Sequence, residues 1–217
     1  MKKNLTELVF ILDRSGSMSG LEDDVIGGFN AMIEKQKKVP GEAIVTTVLF
    51  DDKYQLLHDR ISLKGIAPLT DKDYYVRGCT ALLDSIGRTI AKESNTIKHT
   101  IPEERPENVL VVINTDGYEN SSREYTWKQI QTMIRKMRTK YNWEFIFLGA
   151  NIDSAQMADE LGIDRNNAVD YHADEEGVAS NFNSVSMAAT SYRINKCVEP
   201  SWADETRKDY KARCSKK

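Results

Sequence analysis

Apolar runs of strand length recur along the chain and alternate with stretches of helical periodicity. The clearest runs are Leu5–Leu12, Ala43–Phe50, Val109–Ile113 and Trp143–Leu148, and two weaker ones are Tyr54–Leu57 and Ala168–Tyr171. An apolar run without alternation is typical of a strand that is buried on both faces, as in a parallel sheet. The pattern therefore predicts an α/β fold in which helices cover both faces of a mostly parallel sheet.

The stretches between these runs carry apolar stripes at helical spacing. The stripes are Leu21, Val25, Phe29, Met32 and Ile33; Leu83, Ile86 and Ile90; Trp127, Ile130, Ile134 and Met137; and Val178, Phe182, Val185, Ala189 and Tyr192. Gly27 and Gly28 interrupt the first helix at roughly 1 kcal/mol each relative to alanine, so we expect them to pack closely against the sheet. Asp51 and Asp52 predict a tight turn into a short antiparallel edge strand, and we interpret them as turn residues, not metal ligands.

The composition is typical of one compact domain followed by a short tail. The chain has 217 residues, of which 40% are hydrophobic and 29% are charged, enough for one sizeable core. The apolar stripe stops near Val198, so we predict a domain over residues 1–197 and a loosely held, charged C-terminal tail over residues 198–217. The net charge of −3 and the pI near 5.7 argue against nucleic acid or an anionic membrane surface as a partner.

Export signals are incomplete in this sequence. The first residues imitate the start of a signal peptide, but Glu7, Asp13 and Arg14 leave its apolar stretch too short. No run approaches the roughly 20 apolar residues that cross a bilayer. Three cysteines without close spacing give no disulfide framework. We therefore expect a soluble protein in the cytoplasm.

The first apolar run ends in a loop that is rich in oxygen ligands. Asp13, Ser15 and Ser17 alternate directly after the strand, at the carboxyl end, where open α/β sheets bind ligands. Two hydroxyls and a carboxylate can turn toward one point, and oxygen-only donors suit a hard cation such as Mg²⁺. A helix N-cap with turn residues would also explain this loop.

Two later segments supply further oxygen donors for the same edge. Asp116 follows the strand Val109–Ile113, and Gly117 would permit a sharp turn there. Thr80 precedes a helix, and helix capping alone would also explain it. Scattered histidines make a zinc site improbable, and Cys79, without a basic neighbour, is interpreted as a packing residue.

Taken together, these motifs resemble the von Willebrand factor A-type (VWA) domain and its metal-ion-dependent adhesion site (MIDAS). Asp13, Ser15 and Ser17 match the Asp-x-Ser-x-Ser element, Thr80 matches the separate threonine, and Asp116 matches the Thr-Asp-Gly aspartate. The resemblance spans about residues 5–195. It implies a three-layer, Rossmann-like, doubly wound sheet with one antiparallel edge strand, of the type found in bacterial or phage intracellular members.

The resemblance also implies how the site works. Ser15, Ser17 and Thr80 would bind one divalent cation directly, while Asp13 and Asp116 act largely through coordinated water. The expected ion is Mg²⁺, with Mn²⁺ or Ca²⁺ as alternatives. A remaining coordination position would accept an Asp or Glu carboxylate of a partner protein. Neutral hydroxyls leave the charge of the ion incompletely compensated, which favours that carboxylate.

The leading hypothesis is therefore a non-catalytic, cation-dependent protein-binding module. One alternative is a metal-dependent phosphotransferase of the haloacid dehalogenase type, which would need an acidic residue at the position of Ser15. Another alternative is a metal that serves only folding stability, with recognition left to loops and the charged tail. In that case Asp116→Ala would lower the melting temperature without changing the affinity for the partner.

Overall fold

A computed structural model describes residues 1–214 of the chain. Within this part, the chain forms six strands that hydrogen-bond into one sheet. The strands are β1 (Lys2–Asp13), β2 (Glu42–Phe50), β3 (Tyr54–Ser62), β4 (Pro106–Thr115), β5 (Glu144–Ala150) and β6 (Ala168–Tyr171). Every apolar run that predicted a strand coincides with one of them, except that Trp143 lies one residue before β5.

The strand order across the sheet is β3-β2-β1-β4-β5-β6. All neighbouring pairs are parallel except β2 and β3, which form an antiparallel hairpin through the turn at Asp51 and Asp52. The predicted architecture, a doubly wound and mostly parallel sheet with one antiparallel edge strand, is confirmed. Strands β1 and β4 are adjacent although β2 and β3 separate them in sequence, so the winding reverses between them.

Helices cover both faces of this sheet. The α-helices of the described residues are α1 (Glu22–Lys37), α2 (Leu82–His99), α3 (Trp127–Tyr141), α4 (Ser154–Leu161), α5 (Glu175–Asn195) and α6 (Asp204–Cys214). Alternate residues of β1 point to opposite faces, so Leu8, Phe10 and Leu12 pack beneath α1 and α5. Val9 and Ile11 pack beneath α2, α3 and α4. No described helix is both long and apolar enough to cross a membrane.

The segment that was expected to be a loosely held tail is packed from residue 198 to residue 214, so that expectation is wrong for this part. Trp202 is buried, and its indole Nε1 donates to the carbonyl oxygen of Asn166 at 3.0 Å. In α6, Thr206 is buried against Ser180 and Ser184 of α5. Trp202, just before α6, and the contacts of Thr206 anchor this mostly charged helix. A search for apolar stripes in the sequence could not find such a helix. Lys216 and Lys217 lie outside the described residues, and the boundary at residue 197 stays a prediction.

The two glycines of α1 have different environments. A Cβ at Gly28 would collide with the aromatic ring of Phe182 on α5, whereas a Cβ at Gly27 would meet no atom within 4 Å. Close packing therefore explains Gly28 alone, and its neighbour is a helix, not the sheet as expected.

Gly27→Ala and Gly28→Ala should change stability in opposite directions. At Gly27, alanine adds helix propensity in open space and should raise the free energy of unfolding by roughly 0.5–1 kcal/mol. At Gly28, the added methyl displaces Phe182 and should lower the free energy of unfolding by roughly 1–3 kcal/mol. Urea unfolding of both variants measures this difference, and a stabilised Gly28→Ala would contradict the packing role of Gly28.

A pair of buried carboxylates lies between β1 and α2. The side chains of Glu7 and Glu93 have no exposed surface, and the Arg60 Nη1 atom forms an ion pair with each of them. Arg60 has a positive φ of 53°, within a stretch where the register between β2 and β3 shifts. Burial, followed by the charge of Glu93, raises the pKa of Glu7 to about 8.

This raised pKa predicts a pH-dependent stability. An unfolded glutamate has a pKa of about 4.3, so the folded state holds a proton that the unfolded state releases. The stabilisation is complete below that pH and is lost as the pH rises toward about 8. We expect Glu7→Gln to reduce the loss of unfolding free energy between about pH 5 and 8 by at least ~1 kcal/mol. Urea titrations at several pH values in this range measure the free energy of unfolding. The control is Glu34→Gln at an exposed position, which should show the same dependence on pH as the wild type.

Candidate metal centre

Three distant segments meet at the carboxyl ends of β1 and β4. Asp13 is the last residue of β1 and the loop after it carries Ser15 and Ser17. The loop after β4 carries Asp116, and Thr80 lies just before α2. Because the winding of the sheet reverses between β1 and β4, a crevice opens there, where open α/β sheets bind ligands. The structure thus brings all five predicted site residues to one place, while their role as metal ligands stays a prediction.

The hydroxyl groups of this site form a continuous chain. The Thr80 Oγ1 atom donates to Ser15 Oγ at 3.0 Å, and Ser15 Oγ lies 3.2 Å from Ser17 Oγ. The Ser17 Oγ atom donates to Asp116 Oδ1 at 2.5 Å. Three neutral oxygens and one carboxylate oxygen therefore form a row in which each contacts the next.

Asp13 is held more tightly by the protein than the other site residues. Its Oδ1 atom accepts from the Ser15 backbone N–H at 2.7 Å, and its Oδ2 atom accepts from Thr115 Oγ1 at 2.5 Å. The Tyr74 hydroxyl donates to the Asp13 carbonyl oxygen at 2.5 Å. With both carboxylate oxygens hydrogen-bonded and the side chain buried, Asp13 orients the loop and supplies negative charge from beneath it.

Gly117 allows the loop after β4 to approach the other two segments. A Cβ at this position would lie 3.2 Å from both Ser17 Oγ and Thr80 Oγ1. Its φ is not positive, so close approach, and not the sharp turn that was expected, explains the glycine.

The carboxyl groups of the site lie in surroundings that disfavour their negative charge. Burial raises the pKa of Asp13 to about 6, and burial also raises the pKa of Asp116. The Asp116 Oδ2 atom is buried and has no hydrogen-bond partner within the described structure. A cation would relieve both conditions, because it compensates the charge and satisfies the free oxygen.

The donor set fits a hard divalent cation. It consists of hydroxyl and carboxylate oxygens only, which Mg²⁺, Mn²⁺ and Ca²⁺ prefer. Among the described residues no group of three or more His, Cys, Asp or Glu side chains could hold a metal ion. Any cation at this site would therefore depend on the serine and threonine hydroxyls.

The loop after Asp116 is fastened to the start of α2. The Thr80 backbone N–H donates to Asn120 Oδ1 at 2.9 Å, and the Asn120 backbone N–H donates to the Thr80 carbonyl oxygen at 3.1 Å. The Glu119 carboxylate accepts from the Leu83 N–H, and Asp84 accepts from three backbone N–H groups of residues 123–125. These bonds fix Thr80 relative to Asp116, so Glu119 and Asn120 shape the loop.

A buried ion-pair cluster beside the centre was not predicted from the sequence. Arg14 and Asp51 have no exposed side-chain surface, and Arg14 Nε donates to Asp51 Oδ2 at 2.9 Å. Arg77 Nε donates to the same oxygen at 2.7 Å. The Tyr75 ring contacts both guanidinium groups, each 5.2 Å from its centroid. Burial would raise the pKa of Asp51, but hydrogen bonds from Arg77 and Lys53 and the charge of Arg14 lower it overall.

This cluster changes the interpretation of two residues. Asp51 does form the turn after β2, because it accepts from the Lys53 N–H at 2.7 Å, but it also neutralises the arginine between Asp13 and Ser15. The sequence signal is Arg14, a charged residue next to a buried strand that requires a counter-charge, but this signal does not identify Asp51 as the partner. Cys79, by contrast, is exposed, so its expected packing role is wrong.

Of the comparisons with known proteins, only the one with solved structures finds similar molecules. No family model and no curated protein matches the sequence. The chain is similar to proximal thread matrix protein 1 from the mussel byssus with a zinc-occupied MIDAS motif, with a TM-score of 0.57, 15% identity, and coverage of 85% of this chain and 46% of that one. The chain is also similar to von Willebrand factor type A from Catenulispora acidiphila, with a TM-score of 0.55 and 13% identity. This match covers 86% of this chain and 42% of that one.

A third similar structure is the manganese-loaded TRAP protein of Plasmodium vivax, with a TM-score of 0.52, 14% identity, and coverage of 84% of this chain and 74% of that one. The chain spans less than half the length of the mussel and Catenulispora proteins. At these identities the likeness concerns the course of the backbone.

Proposed function

We propose that this chain, which has the von Willebrand factor A-type fold, is a divalent-cation-dependent protein-binding module. Ser15, Ser17 and Thr80 would hold the cation, with Asp13 and Asp116 acting largely through bound water. The partner would supply an Asp or Glu carboxylate. The observation that carries this proposal is the continuous chain of oxygens from Thr80 to Asp116, which joins three distant segments at the β1–β4 crevice.

The spacing of these oxygens lies between the values expected for Mg²⁺ and for Ca²⁺, so the all-oxygen donor set, not the spacing, supports Mg²⁺. Adjacent ligands around an octahedral Mg²⁺ lie about 2.9 Å apart, whereas the longer Ca²⁺ bonds separate them by about 3.3–3.7 Å. The hydroxyl oxygens of Thr80, Ser15 and Ser17 are 3.0 and 3.2 Å apart. Mn²⁺ and Ca²⁺ stay as alternatives, and similar structures contain manganese or zinc.

The arrangement of charge supports binding of a carboxylate. When bound, the cation would supply an electrostatic attraction that neutral hydroxyl ligands do not quench. The Asp13 carboxylate is engaged by Thr115 and by the Ser15 N–H, so it does not compete for the exposed side of the site. Ser17 is exposed and marks the side from which a partner can approach.

The same contacts disfavour the phosphotransferase alternative. A nucleophilic aspartate must lie open to the phosphorus atom, but the Asp13 side chain is buried and is held by the Ser15 N–H and by Thr115 Oγ1. The position two residues later is Ser15, which offers no carboxylate for general acid–base catalysis. The proposal is therefore a non-enzymatic module.

A cytoplasmic location is part of the proposal. The cysteines Cys79, Cys197 and Cys214 are all free and exposed, which suits a reducing compartment. We also propose that the chain belongs to the bacterial or phage intracellular type. This part of the proposal is based on the free cysteines and on the compact organisation of the chain.

The test is capture of a partner by the immobilised chain in Mg²⁺, followed by elution with EDTA. We expect one or more proteins to elute with EDTA from the wild type and none from Ser15→Ala. Equal recovery from both columns would overturn the proposal. Hydrolysis of p-nitrophenyl phosphate that disappears in Asp13→Asn would instead support the phosphotransferase.

A further inference from the structure

The surface around the metal centre differs in charge on its two sides. On the β2 side it is bordered by Tyr75 and Arg77, which are partly exposed. On the β5 side it is bordered by a pocket between the loop after β4, the start of α3 and helix α4. The strand order places these features on opposite sides of the β1–β4 crevice.

The pocket has a volume of about 200 Å³, room for about six or seven water molecules at ~30 Å³ each, or for one long side chain. Its lining consists of Tyr118, Glu119, Trp127, Asp153, Gln156, Met157 and Glu160. This lining combines two aromatic rings and a thioether with three carboxylates, and no lysine, arginine or histidine of the described chain belongs to it.

The fold itself explains two of the three carboxylates. Glu119 accepts from the N–H groups of Leu83, Ser121 and Ser122, and Asp153 caps the N-terminus of α4. Glu160, however, is exposed in the last turn of α4. The helix dipole disfavours a negative charge at this end. Its Oε1 atom accepts from Gln156 Nε2 at 3.0 Å, but this neutral amide leaves the negative charge of Glu160 uncompensated.

The pocket is close to the proposed cation. Tyr118 and Glu119 follow Asp116 by two and three residues, and three residues of extended chain span at most about 10 Å. A partner segment with its carboxylate on the cation would thus place a side chain two to four residues away over the pocket.

Resting on the proposed function, we propose that the partner segment carries a lysine or arginine within about two to four residues of its metal-binding acid. The alkyl stem of this residue packs on Trp127 and Met157, and its cationic end faces Glu160. Long basic side chains combine an apolar stem with a charged end in this way. On the opposite side, Arg77 disfavours further basic residues, so charge complementarity fixes the direction in which the segment lies.

The test uses random peptides displayed on phage and panned against the full chain in Mg²⁺, with elution by EDTA. We expect selected peptides to contain an Asp or Glu with a Lys or Arg at the stated spacing. Binding of a synthetic consensus peptide should weaken roughly three- to tenfold in Glu160→Lys, the size of a reversed surface pair. A peptide with its basic residue changed to glutamate should recover binding to that variant.

Glu103→Lys is the matched control. This residue is exposed at the opposite end of the sheet, before β4, so the same change of net charge should leave binding unaltered. Peptides enriched in acid but not in a nearby basic residue, or an equal response of both variants, would overturn this inference and leave the proposed function intact. Absence of any EDTA-dependent selection would overturn the proposed function as well.

Discussion

Ser15→Ala is expected to abolish Mg²⁺ binding and to leave the chain folded. Ser15 Oγ is the central atom of the hydroxyl chain, in contact with both Thr80 Oγ1 and Ser17 Oγ. Alanine removes this ligand and separates the other two. The loss in stability should be only about 1 kcal/mol, the net value of a typical hydrogen bond. Isothermal titration of Mg²⁺ measures the binding, and circular dichroism with urea unfolding measures the fold.

Ser19→Ala is the matched control, since Ser19 lies in the same loop but is exposed, and it should bind Mg²⁺ like the wild type.

Asp116→Ala tests whether the metal serves recognition or only stability. Burial raises the pKa of Asp116, so without metal the variant should be no less stable, but the increase in melting temperature on adding Mg²⁺ should vanish. Unchanged affinity of folded Asp116→Ala for a partner would show that the metal serves only stability.

Asp51→Asn is expected to destabilise the chain more than any other single change considered for the loops of the metal centre. The carboxylate is buried between two arginines, and removing one partner of a buried ion pair costs about 3–5 kcal/mol. The substitution leaves the Arg14 guanidinium, which has no exposed surface, without its counter-charge. Urea unfolding at neutral pH measures this change.

The same substitution should weaken Mg²⁺ binding. The Asp51 carbonyl oxygen accepts from the Ala81 N–H, and the Arg14 carbonyl oxygen accepts from the Arg77 N–H, so the cluster connects the segments that carry Ser15 and Thr80. Asp71→Asn, an exposed change in the loop before α2, should alter stability by less than about 0.5 kcal/mol. A comparably small effect of Asp51→Asn would contradict the role of the cluster.

The fold could be predicted because β1, β2, β4 and β5 each contain a largely apolar run between polar breaks. The predicted strands match the observed ones, and the predicted stripes of α1 and α5 are buried in the core on one face of the sheet. Helices α4 and α6 were not predicted, since α4 spans only eight residues and α6 is mostly charged. Asp153 as N-cap and Gly162 with its positive φ of 80° were the local signals that could have indicated α4.

The candidate site could be predicted to the extent that its residues lie at strand ends. Asp13 ends β1 and Asp116 follows β4, and the adjacency of these strands brings the two residues together. The sequence could not predict that Asp51 pairs with Arg14, because that contact depends on a turn 37 residues away. It also could not predict that Asn120 bonds to both backbone groups of Thr80, since no local pattern encodes a pairing between loops.

The packing of α6 bears on how copies of this protein stay apart. Strand β6 is the last of the sheet, and α6 lies against it, with His172 stacked on Tyr210 and Arg213 paired with Asp174. An uncovered terminal strand is a template for pairing with another molecule and for fibril growth. Residues 198–214 thus pack beside this terminal strand, and we expect a chain truncated at residue 197 to pair more readily with other copies through β6 while keeping every residue of the metal centre.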